Sequence, residues 1–147
     1  AVVITKRNYN GLLTLLYCLC LTCSADLFAQ NDILSKTLNA QVSVAGQMTT
    51  DKFQQLIKAG FKSVIVNRPD QEQGNTISVT QLRQIAEQSQ ISVIYQPILS
   101  GKISQTDVIE FAKYYNELPK PILMVCRSGS RSSILFNQAK SQGLLNE

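Results

Sequence analysis

The sequence predicts an α/β domain in three layers, a mostly parallel sheet of about four to five strands with helices on both faces. Three observations predict it. Short apolar runs of strand length recur from Gln41 onward. Segments with apolar residues at helical spacing separate them. The breakers Gly60 and Pro119 stand where two of those segments should stop. Strands that alternate with helices of this length make βαβ units, whose crossovers are right-handed.

Asn31 to Asn39 is expected to be a lead-in, and Gln41-Val42-Ser43-Val44 the first strand. Thr49-Thr50 can cap a helix through Phe53, Leu56 and Ile57, with Gly60 beyond its end. Phe61 to Val66 reads as a buried strand, and Arg68 to Asn75 as a polar loop. Val79, Leu82 and Ile85-Ala86 give a helix from Ser78 to about Gln88. Ile91 to Tyr95 is the next strand. Ser104 with Asp107 forms an acidic variant of the capping box, opening a helix whose apolar face is Val108, Phe111, Ala112 and Tyr115. Pro121 to Val125 is a compact apolar strand running into Cys126. Arg131 to about Ser141 suits a last helix with Ile134, Leu135 and Ala139 inward.

The first 29 residues read differently. Lys6-Arg7 precede an apolar run from Gly11 to Cys23, and small residues follow at Ser24, Ala25 and Ala29. A positive start, about a dozen apolar residues and a small-residue exit describe a secretory signal peptide. The alternative is an uncleaved N-terminal anchor, although a spanning helix needs about 20 apolar residues. The domain proper is then 30–147, and the protein is expected to be exported to the periplasm of a bacterium. Membrane contact is expected only through an uncleaved N-terminal segment. Cys18, Cys20 and Cys23 fall in this segment, so Cys126 becomes the lone thiol of the mature chain. A lone cysteine has no intrachain partner and is either inert or functional.

Composition narrows the chemistry. Hydrophobic residues make up 44% of the 147-residue chain and charged ones 16%, a globular balance. The net charge is +4, with Lys6 and Arg7 contributing to it, and no basic stripe is present. Nucleic-acid binding is therefore not expected. The chain has no histidine, which removes the usual general base and metal ligand. No cysteine and carboxylate spacing suits zinc, and no cofactor is expected.

Cys126-Arg127-Ser128-Gly129-Ser130-Arg131-Ser132 is the chemical signature. It lies at the carboxyl end of an apolar strand and just before a helix, where ligands of open α/β sheets bind. Backbone N–H groups of such a loop converge into an anion cup, reinforced by the helix N-terminus. Gly129 permits the turn. Arg131 offers a planar fork to an oxyanion. The remaining anion-binding candidates are Arg127, Ser128, Ser130 and Ser132. Helix N-termini and neighbouring arginines favour thiolate over thiol, and thiolate is the attacking form, so Cys126 is activated without histidine. Ser132 is placed to donate to the sulfur. The bland alternative is a buried cysteine with arginines facing solvent.

Three stretches carry a family resemblance: Val42 to Thr49, Val66-Asn67-Arg68-Pro69-Asp70, and Cys126 to Ser132. From about Val42 to Ser133 the chain resembles the bacterial phosphatase-like domains also found fused to metallo-β-lactamase-type hydrolases. The resemblance implies a fold like that of tyrosine and dual-specificity phosphatases. It also implies Cys126 as the nucleophile that attacks phosphorus, Arg131 as the phosphoryl clamp, and a leaving-group acid. Asp70 is the substitute acid, with a turn-forming role as its alternative; Glu72 is a weaker candidate. Arg68 either lines the cup or pairs with Asp70 or Glu72.

The loop departs from the phosphatase pattern. Phosphatases usually carry one more residue between cysteine and arginine than the four here, and a shorter loop with arginine directly after cysteine is similar to the rhodanese sulfurtransferases. Val125 stands where histidine often does, and Gln96 to Lys102 holds no acid. The reading that follows is a cysteine-dependent phosphatase-like hydrolase acting on a small anionic phosphoester. The alternatives are a sulfurtransferase or persulfide carrier fed by a sulfane-sulfur donor, and a non-catalytic anion-binding or redox module.

Overall fold

The computed structural model describes residues 34–147. The signal-segment expectation at 1–29 lies outside them. Within them, no helix is long and apolar enough to cross a membrane.

The elements are β1 (Lys36–Thr37), β2 (Val42–Ala45), α1 (Thr50–Lys58), β3 (Ser63–Val66), α2 (Val79–Glu87), β4 (Ser92–Tyr95), α3 (Gln105–Glu117), β5 (Ile122–Val125) and α4 (Ser130–Ser141). The sheet order is β1-β2-β5-β3-β4. The pairs β2·β5, β5·β3 and β3·β4 are parallel. Only β1 is antiparallel, with Lys36 opposite Val44 and Thr37 opposite Ser43. The expected α/β class and its alternation are as read from the sequence.

The pleat explains the three layers. Successive strand residues face opposite sides, and both sides here are covered. Val64, Val66, Leu123 and Val125 point into one core with Phe53 and Leu56 of α1 and Leu82 and Ala86 of α2. Ile65, Ile122 and Met124 point into the other, with Phe111 and Tyr115 of α3 and Leu135 and Phe136 of α4. A strand buried on both faces reads as a continuous apolar run, which is why β3 and β5 stand out in the sequence. Burying a side chain of this kind contributes roughly 1.5–3 kcal/mol, more than any cap. The caps fix where helices start. The Thr49 hydroxyl accepts from the Lys52 amide, and Ser78 with Gln81 and Ser104 with Asp107 form full capping boxes.

Two boundaries differ from expectation. The lead-in contains β1, a strand too short to leave a periodic pattern. It is held by its neighbour and by Asn39, whose Oδ1 accepts from the amides of Gln41 and Val42, each at 2.8 Å. The last helix starts at Ser130, with Gly129 as N-cap in a left-handed conformation (φ 89°).

Parallel pairing brings the carboxyl ends of β2, β3, β4 and β5 to one edge. Three hydrogen bonds continue the ladder past the strands: Asn67 N–H to Val125 O (2.7 Å), Cys126 N–H to Ala45 O (3.1 Å) and Gln96 N–H to Val66 O (2.9 Å). The loops 46–49, 67–78, 96–104 and 126–129 therefore meet at this edge.

Candidate active site

Cys126 sits one residue beyond β5 and is buried. The chain turns at Gly129, whose N–H donates to Cys126 Sγ at 2.9 Å. That donor comes from the N-cap residue of α4. A side chain at position 129 would be strained at φ 89° and would press on Val44. Gly46, at the end of β2, backs the loop from the other side. A Cβ there would stand 2.9 Å from the Arg127 carbonyl oxygen. Close backbone approach thus selects glycine at 46, and this residue fixes where the loop lies.

Arg131, in the first turn of α4, is buried at 7% exposure. Its Nη1 donates to Ile98 O at 2.8 Å and its Nη2 to Glu72 Oε1 at 2.7 Å. Its Nε–H is buried without a partner. Glu72 uses its other oxygen on Arg68 Nε, also at 2.7 Å. Arg68 in turn donates to the Gln73 carbonyl (3.1 Å) and to Gln47 Oε1. Arg68 therefore does not line the cup. It pairs with Glu72, one of the two roles open to it in the sequence, and it braces the carboxylate that orients Arg131.

Burial alone would raise the Glu72 pKa, but the hydrogen bonds and charges of Arg131 and then Arg68 outweigh it and hold it below its ordinary 4.5. A depressed folded-state pKa stabilises the fold fully above the unfolded value and loses that contribution as pH falls through the folded one. Acidification below 4.5 should therefore lower the melting temperature of the wild type more than that of Glu72→Gln. Equal slopes of melting temperature against pH in the two proteins would refute the coupling.

Two expected roles are corrected by geometry. Ser132 does not donate to the sulfur. Its hydroxyl is buried and donates to Asn67 Oδ1 at 2.8 Å, while Asn67 Nδ2 reaches Gln96 O at 3.2 Å. Ser132 thus ties α4 to the end of β3. In its place the Gly129 amide serves the sulfur. Asp70 faces the start of α2, where its Oδ1 accepts from the Val79 amide at 2.8 Å, and its own amide donates to the Tyr95 hydroxyl at 2.9 Å. This is the turn and cap role that stood as the alternative to acid catalysis. Arg127, Ser128 and Ser130 are exposed on the loop, with the Ser128 hydroxyl donating to Ser130 Oγ at 3.1 Å.

A cavity of about 360 Å³ opens over the loop. Cys126, Arg127, Ser128, Ser130 and Arg131 form its floor, and Ser100, Gly101, Ile103, Ile134 and Gln138 its walls. Its size falls within the range of small-molecule sites.

The sequence profile of the phosphatase-like domain of β-lactamase hydrolase-like proteins matches residues 34–143. The chain belongs to that family. The β-lactamase hydrolase-like protein of Xylella fastidiosa is 25% identical over 99 residues, covering 67% of this chain and 23% of that protein. The one from Agrobacterium fabrum is 28% identical over the same length and shares. The matched region thus spans about a quarter of these relatives. Among solved structures, a candidate phosphatase from Neisseria meningitidis superposes with TM-score 0.69 at 27% identity, covering 75% of this chain and 78% of that one. The catalytic core of the yeast PP-IP phosphatase, solved with citrate, superposes at TM-score 0.60 and 14% identity, covering 77% and 68%. The second likeness is one of fold. Together they establish a phosphatase-like domain with the tyrosine-phosphatase type of α/β architecture, as the resemblance in the sequence implied.

Proposed function

We propose that this phosphatase-like domain hydrolyses a small anionic phosphoester through Cys126. One observation carries the reading most. Cys126, whose buried sulfur accepts from the Gly129 amide, and Arg131, whose Nε–H is buried without a partner, line one cavity at a helix N-terminus. A buried donor without an acceptor costs about 1–3 kcal/mol, and an oxyanion seated in the cup is the acceptor that Arg131 lacks. The loop amides and Arg131 then hold the phosphoryl oxygens. Cys126 attacks phosphorus, and water resolves the phosphocysteine. The roles of Arg127, Ser128 and Ser130 are to complete the cup.

A second reading is sulfur transfer, in which Cys126 accepts a sulfane sulfur. The four-residue spacing between Cys126 and Arg131 favours it. Assaying the purified protein with p-nitrophenyl phosphate, and separately with thiosulfate plus cyanide, tells the two apart. Phosphate release is expected. Thiocyanate formed without phosphate would replace the first reading with the second.

We further propose that the chain is exported, with residues 1–29 as the targeting segment. Mass mapping of the mature N-terminus should then find Lys6-Arg7 absent; their presence in exported protein would contradict cleavage.

A further inference from the structure

We infer that the natural substrate carries a leaving group that departs as an anion, without a proton from the protein, and that its body is uncharged. The inference deepens the phosphatase reading and rests on it. Among the described residues lining the cavity there is no carboxyl group, and its cations are Arg127 and Arg131. The chain has no histidine. The loop 96–104, which forms the wall facing Cys126, contains no acidic residue. Two carboxylates lie in the neighbouring loop 67–78, and neither lines the cavity. Asp70 Oδ1 holds the Val79 amide. Glu72 has one oxygen on Arg68 and one on Arg131, both at 2.7 Å, and stays ionised between two guanidinium groups. The hydroxyls of Ser100, Ser128 and Ser130 can donate a hydrogen bond to a leaving oxygen but do not ionise near neutral pH.

Expelling an alkoxide without a proton is slow, so such a site suits a leaving group that is stable as an anion. An acyl phosphate releases a carboxylate, and an ester of an acidic phenol releases a phenolate. In either case the thiolate of Cys126 forms a P–S bond as the P–O bond breaks, and the electron pair leaves on oxygen. Water then attacks phosphorus, the P–S electron pair returns to sulfur, and both water hydrogens stay on the released dihydrogen phosphate. No proton, oxidant or reductant from the protein enters either step.

The body of the substrate is read from the walls. Beyond the cup the lining residues are Ile103 and Ile134 with Ser100, Gly101 and Gln138, none of them charged. The cavity cations both belong to the phosphoryl cup. The exposed Lys102 stands between two lining residues but does not itself line the cavity, so a phosphoanhydride would bring further negative charge with no lining cation beyond the cup to receive it.

The test measures kcat/KM across a set of aryl phosphates of rising leaving-group pKa, with benzoyl phosphate, glycerol phosphate and pyrophosphate alongside. The expected result is a fall of about tenfold per unit of leaving-group pKa, with benzoyl phosphate well above glycerol phosphate and pyrophosphate. Benzoyl phosphate outpacing every aryl ester would place the natural substrate among acyl phosphates; the reverse order would place it among phenolic esters. A shallow dependence, with phosphate released at similar rates throughout, would overturn the inference while leaving the phosphatase reading intact. A shallow wild-type slope that steepens in Asp70→Asn would overturn it by naming the donor; asparagine keeps an oxygen for the Val79 amide. Rapid hydrolysis of pyrophosphate would overturn the statement about the body. Absence of phosphate from every compound would overturn the phosphatase reading and this inference together.

Discussion

Replacing Cys126 with serine should abolish phosphate release while leaving anion binding in place. The hydroxyl of serine is a far weaker nucleophile than thiolate, and no histidine exists to activate it. Removing a nucleophile of this kind lowers turnover by about a thousandfold or more, about 4 kcal/mol in barrier. The cup does not depend on sulfur in the same way. Its shape is set by the left-handed turn at Gly129, the close approach of Gly46, and the Ser132–Asn67 tie; only the first touches the Cys126 side chain, through the Gly129 amide, and a serine hydroxyl can accept from that amide as well. Cys126→Ser should therefore still bind tungstate or inorganic phosphate with affinity near that of wild type by calorimetry. Activity that persists in the serine variant would remove Cys126 from the chemistry under both the phosphatase and the sulfurtransferase readings. Loss of activity together with loss of folding would be seen in the melting curve and is not expected, because serine is the smaller residue and remains beside the Gly129 amide.

What the sequence made legible, and what it did not, follows from the range of the forces involved. The two-faced burial of β3 and β5 and the caps at Thr49 and Ser104 are local patterns, and each is visible in a window of a few residues. The Cys126 loop is equally local, since the strand, turn and helix that shape it are contiguous. The ionic layer behind it is not. Glu72 and Arg131 are 59 positions apart, and Ser132 and Asn67 are 65 apart. Neither pairing leaves a periodicity, so the sequence points Ser132 to the nearest reactive atom along the chain rather than to its actual acceptor. Arg68 and Glu72, four apart, carried the one local hint of this layer. Asp70 shows the converse ambiguity. A carboxylate after a proline at a strand end suits both catalysis and a turn, and the position of the Val79 amide favours the turn. The strand β1 was illegible for a third reason: two residues stabilised wholly by pairing have no signal of their own.

Substituting Arg131 with lysine should cost nearly as much as removing the nucleophile, and it separates charge from geometry. Lysine keeps the positive charge at the base of the cup. It cannot donate to Ile98 O, Glu72 and an oxyanion at once from fixed directions, as the planar guanidinium does. Losing one aligned donor to a developing oxyanion lowers kcat by about a hundred- to a thousandfold, so the variant should fall in that range. If charge alone mattered, Arg131→Lys would retain most activity, and the fork would be irrelevant. Glu72 supplies a second check, because it positions Arg131 without lining the cavity floor. Glu72→Gln keeps an oxygen for one guanidinium but not a charge for two, so it should lower kcat/KM less than Arg131→Lys does. The double variant should be little worse than Arg131→Lys alone, since groups acting as one unit are not additive. Additive losses in that cycle would mean that Glu72 acts on something other than Arg131. The melting temperatures complete the argument. Arg131→Lys leaves Ile98 O without its donor and Glu72 with Arg68 alone, so a loss of stability should accompany the loss of rate, whereas Cys126→Ser should show the second without the first.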